Sequence, residues 1–342
     1  MISKKDIAEI RKILAKSERP LIFYDDDTDG VCSYLLMSKY LDRGKGLPLK
    51  SSPMLTKDFM YKVRENSPDL IIVLDKPLID QDFIDEANVP ILWIDHHPPV
   101  KREYVKYYNP QLRKKDDNKP TSYLCYKITE NNLWLGFLGT LADWNLPKDI
   151  TKEFLKEYPD LMPGNVKDPG HAMFGTEIGK LVRVFNFAIM GMTSDAIKYT
   201  NVLRKIESPY ELLRNETPRA KFVNKKCNKL LTVYNNFLQE AIGSAEDGKY
   251  IIYTYASTKY SFTGELSNEL MHRFPGRLIL VGRIKGDRVI ISMRSHDHNL
   301  PKLIKNALED VEGYGGGHIA ACGGNIAKRD FSKFTEKIKE KI

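Results

Sequence analysis

Cysteine is scarce in this chain. Its four residues, Cys32, Cys125, Cys227 and Cys322, stand far apart, and no two have the close spacing of a zinc site or a thiol–disulfide motif. Free thiols in a reducing compartment are expected. No stretch reaches the ~18 consecutive apolar residues of a membrane span. Residues 1–18 form a charged amphipathic segment without the apolar centre of a secretory signal. A cytoplasmic protein without membrane contact is therefore expected. Internal repeats and low-complexity tails are lacking too, which excludes solenoid architectures. What is present is an ordinary globular composition: 342 residues, 42% hydrophobic and 29% charged, enough for two domains with filled cores. Lys and Arg exceed Asp and Glu by 53 to 45, a net charge of +8 that permits a polyanionic partner without requiring one.

The most informative stretch is Leu21-Ile22-Phe23-Tyr24 followed by Asp25-Asp26-Asp27-Thr28-Asp29-Gly30. An apolar run of strand type ends in four carboxylates, and a helical pattern follows through Val31, Leu35, Leu36, Tyr40 and Leu41. Two carboxylates ~4 Å apart repel by ~4 kcal/mol at an effective dielectric of ~20. A cation between them removes that cost, so the pattern reads as a metal site at a strand end. The opening of an EF-hand calcium loop has the same Asp-x-Asp-x-Asp-Gly spacing. That loop needs a bidentate Glu at its twelfth position and an incoming helix. Here the twelfth position is Leu36, and Pro20 to Tyr24 has the pattern of a buried strand.

Two more apolar runs end the same way. Leu70 to Leu74 closes on Asp75, and Ile91 to Ile94 leads into Asp95-His96-His97. Unalternating runs separated by helical patterns predict a parallel sheet with helices on both faces. Ligands gather at the carboxyl ends of strands in such sheets, so the three acidic ends are expected to converge. Residues 46–53 are uneven, and a polar helical segment is expected near Lys57 to Asn66. A basic loop with Arg113, Lys114 and Lys115 precedes a helix start at Pro120-Thr121-Ser122. The stretch Leu135 to Trp144 is apolar except for Asp143, which then requires a polar or ionic partner. Helical patterns dominate from Lys148 onward and end in a long basic helix, Arg219 to Ala241.

From Lys249 the pattern changes to strand-like runs with helices between them, a second and smaller α/β domain. Residues 1–215 are expected as the first domain, 216–247 as a connecting helix and 248–342 as the second domain. The chain closes with Gly313-Tyr314-Gly315-Gly316-Gly317-His318 and a further glycine pair, Gly323-Gly324. Glycines let backbone N–H groups approach a phosphate, and His318 adds a donor. Arg294-Ser295, at a strand end in the same domain, offers a second phosphate contact. Trp93 and Trp144 read as packing residues, and His296 and His298 as loop histidines.

Asp27 and Asp29, Asp75, the Asp95-His96-His97 triplet and Asp143 resemble, in order, the four motifs of the DHH phosphoesterase superfamily. The Gly315-Gly316-Gly317-His318 segment resembles the signature of the DHH-associated C-terminal domain. The resemblance runs from about Leu21 to Gly324. It implies a hydrolase of phosphodiesters using two metal ions ~3.5–4 Å apart. Carboxylates with an imidazole suit Mn²⁺, with Mg²⁺ as the alternative. The resemblance further implies that Asp75 bridges the two ions, that Asp29, His96 and Asp143 complete one site, and that Asp27 serves the other. Asp95 would fix a histidine tautomer. His97 would face the scissile phosphate as charge stabiliser or proton donor. Arg294, Ser295, Gly315, Gly316, Gly317 and His318 would hold the substrate, in a cleft between the two domains.

One position departs from the pattern. Many members carry a histidine four residues before the equivalent of Asp27, where this chain has Phe23. The Asp-x-Asp-x-Asp-Gly form instead resembles the RecJ-type nucleases, in which an acid equivalent to Asp25 stands near the first metal. The expected function is therefore a Mn²⁺-dependent exonuclease on single-stranded DNA or RNA. Phosphodiesterases for short oligonucleotides or cyclic dinucleotides are the alternative within the family. A non-catalytic replication scaffold is the alternative outside enzymes, disfavoured because every motif carboxylate and the histidine pair are retained. Replication or repair proteins are expected as further partners.

Overall fold

The computed structural model describes residues 2–50, 54–245 and 248–342, so the last three residues of the uneven stretch and the end of the expected connecting segment lie outside the described residues. The chain divides into two compact units, Met1–Cys227 and Asn228–Ile342. Helix α1 (Lys4–Lys16) opens the first unit under a capping box between Ser3 and Asp6. Strand β1 (Pro20–Asp25), helix α2 (Thr28–Leu41) and strand β2 (Lys45–Leu49) follow, then the short strand β3 (Met54–Leu55) and helix α3 (Met60–Asn66). Next come β4 (Leu70–Leu74), the short β5 (Leu78–Ile79), α4 (Gln81–Ala87), β6 (Ile91–Ile94) and β7 (Lys106–Tyr108). Helices α5 (Thr121–Thr129), α6 (Leu133–Ala142), α7 (Lys148–Glu157), α8 (Pro169–Gly175), α9 (Glu177–Ile189), α10 (Thr193–Leu203) and α11 (Pro209–Leu213) complete it. The long helix α12 (Pro218–Gly243) contributes its start to this unit and its remainder to the next.

The principal sheet is parallel throughout, in the order β2-β1-β4-β6-β7. The strand-rich runs at Leu21, Leu70 and Ile91 occupy its three central positions, as unalternating apolar runs should. Leu21, Phe23, Ile71, Val73, Ile91 and Trp93 form one buried cluster with residues of α3 and α4 on one face. Their neighbours Ile22, Ile72 and Leu92 are equally buried, and α2 lies against β1 and β4. Helix α2 is buried continuously from Thr28 to Ser38, because α5 and α6 cover its other side. Such a helix is largely apolar on all sides, with Asp29, Ser33 and Ser38 buried among its apolar residues. Gly30 in its first turn is a close-approach glycine: a Cβ there would stand 2.5 Å from the Asp25 carbonyl oxygen.

The second unit holds β8 (Tyr250–Ala256), α13 (Thr263–Arg273), β9 (Leu278–Lys285), β10 (Arg288–Arg294), α14 (Leu300–Ala307), β11 (Gly313–His318), β12 (Ala321–Ala327) and α15 (Phe331–Lys339). Its sheet has the order β11-β12-β10-β9-β8, antiparallel except for the β8–β9 pair. The glycine-rich segment is a strand at the sheet edge, not a loop. Gly317 requires its glycine, with φ of +147° and a Cβ position 2.5 Å from the Ala321 carbonyl oxygen. Arg294 and His318 both pair with Ala321 in the strand register, so they stand in one row across three adjacent strands. Among the described residues no helix is long and apolar enough to cross a membrane.

Candidate metal centre

The three acidic strand ends converge. Asp25 is the last residue of β1, Asp75 follows β4, and Asp95-His96-His97 follows β6. Asp27 caps α2, its Oδ1 accepting the Gly30 N–H at 2.8 Å. Ligand atoms of Asp25, Asp27 and Asp75 lie within 4.8 Å of one another, and so do those of Asp75, His96 and His97. Asp75 belongs to both groups and is buried. Its backbone has φ of +59°, a left-handed turn that Asp tolerates better than most residues. Thr121 donates its hydroxyl to Asp75 Oδ1 at 3.0 Å.

Asp143 closes α6, and His96 Nε2 stands 3.7 Å from its Oδ2 and 3.5 Å from Asp75 Oδ1. His96 Nδ1 is 3.3 Å from the Asn118 carbonyl oxygen. A carbonyl only accepts, so Nδ1 carries the proton in the neutral ring and the Nε2 lone pair faces two carboxylates. Acceptors facing acceptors is the arrangement that a cation completes. The donor set of two carboxylates, Asp75 and Asp143, and one imidazole, His96, fits a divalent ion such as Mn²⁺.

The carboxylate energetics agree. Burial raises the pKa of Asp75 well above the ordinary value, with the charges of Asp29, Asp27, Asp25 and Asp95 adding to the effect. Asp143 is raised to about 9 by desolvation and by Asp29 and Asp27. Asp25 is raised to about 6 by desolvation and Asp27, against the lowering effect of Lys76. Asp27 is raised too, desolvation first and Asp29 second, although its side chain meets solvent; protein packed around it displaces enough water to matter.

Asp29 is buried differently. Its two oxygens accept the Thr121 and Ser122 backbone N–H groups at 2.8 and 2.9 Å, at the start of α5. Each oxygen keeps a further lone pair, but the carboxylate is oriented by the helix end.

Asp95 is fully buried and is not among the residues whose ligand atoms cluster, although its charge acts on Asp75. It accepts from His97 Nδ1 at 2.7 Å and from the His97 backbone N–H, the Tyr107 hydroxyl and Asn109 Nδ2 at 3.2 to 3.4 Å. The pKa of His97 is raised: burial opposes the charge, but the hydrogen bond and charge of Asp95, with Asp27 and Asp25, outweigh it. With Nδ1 committed to Asp95, Nε2 is the atom that can hold or move a proton.

In the second unit, Arg294 donates from Nε to Asn268 Oδ1 at 2.6 Å and from Nη1 to Ser292 Oγ and the Met293 carbonyl at 2.9 Å. Ser295 is buried, its Oγ 3.0 Å from His298 Nδ1. His298 is thus a packed partner of Ser295 rather than a solvated loop residue. Gly316 and His318 are exposed on the edge strand, and a Cβ on Gly316 would meet nothing within 4 Å.

Several contributing residues escape sequence reasoning. Lys76 follows Asp75 directly, and its ammonium is 3.0 Å from Asp25 Oδ1. Tyr107 and Asn109, which hold Asp95, come from β7 and its exit in the segment read as a basic loop. Asp26 is drawn aside into an ion pair with Lys50 at 2.7 Å. Arg113 pairs with Asp6 at 2.8 Å, which occupies one candidate backbone contact.

Comparison with known proteins follows the same lines. Residues 20–157 match the model of the DHH family, N-terminal domain, and residues 247–342 match that of the DHHA1 domain. No curated protein matched the chain. Among solved structures, RecJ from Thermus thermophilus in complex with Mn²⁺ is similar, at 13% identity and a TM-score of 0.69, covering 98% of this chain and 54% of that one. The chain thus spans about half the length of that relative. An exonuclease RecJ bound to manganese gives 16% identity, a TM-score of 0.63 and coverage of 98% and 92%. CDC45 from Entamoeba histolytica gives 10% identity, a TM-score of 0.50 and coverage of 99% of each chain. At these identities the likeness establishes the fold.

Proposed function

Because the chain belongs to the DHH superfamily and carries a DHHA1 domain at its C-terminal side, we propose that it is a metal-dependent phosphodiester hydrolase, an exonuclease that uses Mn²⁺ to release mononucleotides from single-stranded DNA or RNA. The observation that carries this reading is the Nε2 lone pair of His96 facing Asp75 and Asp143 at 3.5 and 3.7 Å. A divalent ion bound there would acidify a water and offset charge developing on the phosphate. The chain's own residues hold the rest in place. Thr121 orients Asp75, Asn118 fixes the His96 tautomer, and Asp95 holds His97 by its Nδ1. A protonated His97 Nε2 is suited to donate to a phosphate oxygen or to the leaving oxygen.

Arg294 and Ser295, with the edge strand from Gly315 to His318, serve as the substrate grip. The row formed by Arg294 and His318 supports this, since two strand spacings put them roughly 10 Å apart, on the scale of a nucleotide. The test is kcat/KM on single strands of increasing length, from a dinucleotide to about twenty nucleotides. A rise that levels off after several nucleotides is expected. A maximum at the dinucleotide would assign the chain to short-oligonucleotide hydrolysis instead.

A further inference from the structure

We infer that Lys76 is a built-in cation that takes the place of the second metal ion, so that the centre holds one tightly bound divalent ion rather than two. The inference deepens the hydrolase reading and rests on it.

Three observations lead there. First, Lys76 is 1% exposed, and its Nζ donates to Asp25 Oδ1 at 3.0 Å. Asp25 is one of the three carboxylates that could hold an ion on the β1 side of the centre. An oxygen engaged by a buried ammonium is a poor ligand for a dication, and the ammonium repels any ion placed against the same carboxylate.

Second, the lysine is held in that position. The turn at Asp75, with φ of +59°, redirects the chain immediately before it. The indole of the fully buried Trp93 donates to the Lys76 carbonyl oxygen at 2.9 Å, tying its backbone to β6. The backbone is fixed by these contacts, and the side chain that extends from it is itself buried beside Asp25.

Third, beside Asp25 that side offers Asp27 and the shared Asp75 among the described residues. Phe23, four residues before Asp27, is fully buried and packs edge-on against Phe59 and Phe83 at ring distances of 6.1 and 6.0 Å. Asp27 Oδ1 accepts the Gly30 N–H, so Asp27 presents chiefly its other oxygen to an ion. On the other side, the His96 Nε2 lone pair faces carboxylate oxygens of Asp75 and Asp143 at 3.5 and 3.7 Å. Lys76 is buried away from solvent, so it positions Asp25 and supplies charge rather than touching substrate.

The experiment is Mn²⁺ stoichiometry by equilibrium dialysis, with electron paramagnetic resonance of the bound ion, on the full chain and on Lys76→Met. One tight ion per chain is expected for the native protein, with the spectrum of an isolated Mn²⁺. Lys76→Met should bind a second ion at least ~10-fold more tightly than the native chain does and show an exchange-coupled pair. Two tight ions in the native chain would overturn the inference and leave the hydrolase reading standing, whereas no ion at all would remove both. Should Lys76→Met not fold, Asp25→Asn decides. Affinity for the single ion should then change less than ~3-fold, and a loss beyond ~10-fold would show that Asp25 is a ligand and overturn the inference.

Discussion

Stripping the metal and raising the pH should destabilise this protein, and the size of the effect follows from the centre. A carboxyl whose folded pKa lies above its unfolded value binds its proton more tightly when folded. The stability it contributes is present below the unfolded pKa and lost as pH rises through the folded one. Asp25, shifted from 3.8 to about 6, is the clearest contributor, and its side chain is only 24% exposed. Between about pH 4.5 and 7.5 it alone removes on the order of 2 kcal/mol. Asp27, Asp75 and Asp143 are shifted the same way, and so is His97, whose raised pKa also favours the protonated folded state. For a unit of this size 2 kcal/mol lowers the melting temperature by roughly 4 to 8 °C. Thermal melts in chelator across that range, followed by circular dichroism, should show at least this fall. Saturating Mn²⁺ should flatten the slope and raise stability by about 2.7 kcal/mol at a hundredfold excess over Kd. A chelated protein whose melting temperature stays level or climbs would refute the reasoning, because its carboxylates would then not be crowded.

Other perturbations separate the roles. Asp75→Ala should abolish hydrolysis and ion binding together, read by turnover and by metal analysis of the dialysed protein. His97→Ala should lower kcat by ~10²- to 10⁴-fold with metal content unchanged; metal loss with turnover restored at high Mn²⁺ would make His97 a ligand instead. His318→Ala and Arg294→Ala should raise KM on single strands while hydrolysis of an activated model ester persists, and activity on long strands should fall log-linearly with salt.

The central strands were legible because each is an apolar run terminated by an acid, and burial on both faces allows no other pattern. The edges were not. Strand β2 contains Gly46 and Pro48, and β7 is three residues within a basic segment; both pair on one side only, where composition is weakly constrained. The glycine-rich β11 has no side-chain pattern to read, and its pairing with β12 comes from backbone hydrogen bonding. Within the centre, residue types predicted the convergence of Asp25, Asp27, Asp75, His96 and His97, since strand ends must meet in a parallel sheet. What they could not give was which carboxylate oxygen each neighbour engages. The Lys76–Asp25 contact joins residues 51 positions apart, and Asp29 is oriented by amides of α5, a helix still further along the chain.

The most direct measurement uses an end-labelled single strand, first with the dialysed protein in chelator and then with Mn²⁺ restored, beside Asp75→Ala under both conditions. Labelled mononucleotide should appear only with the native chain and only after Mn²⁺ is returned. Cleavage that survives chelation, or persists in Asp75→Ala, would contradict a metal-dependent hydrolase built on the three strand ends.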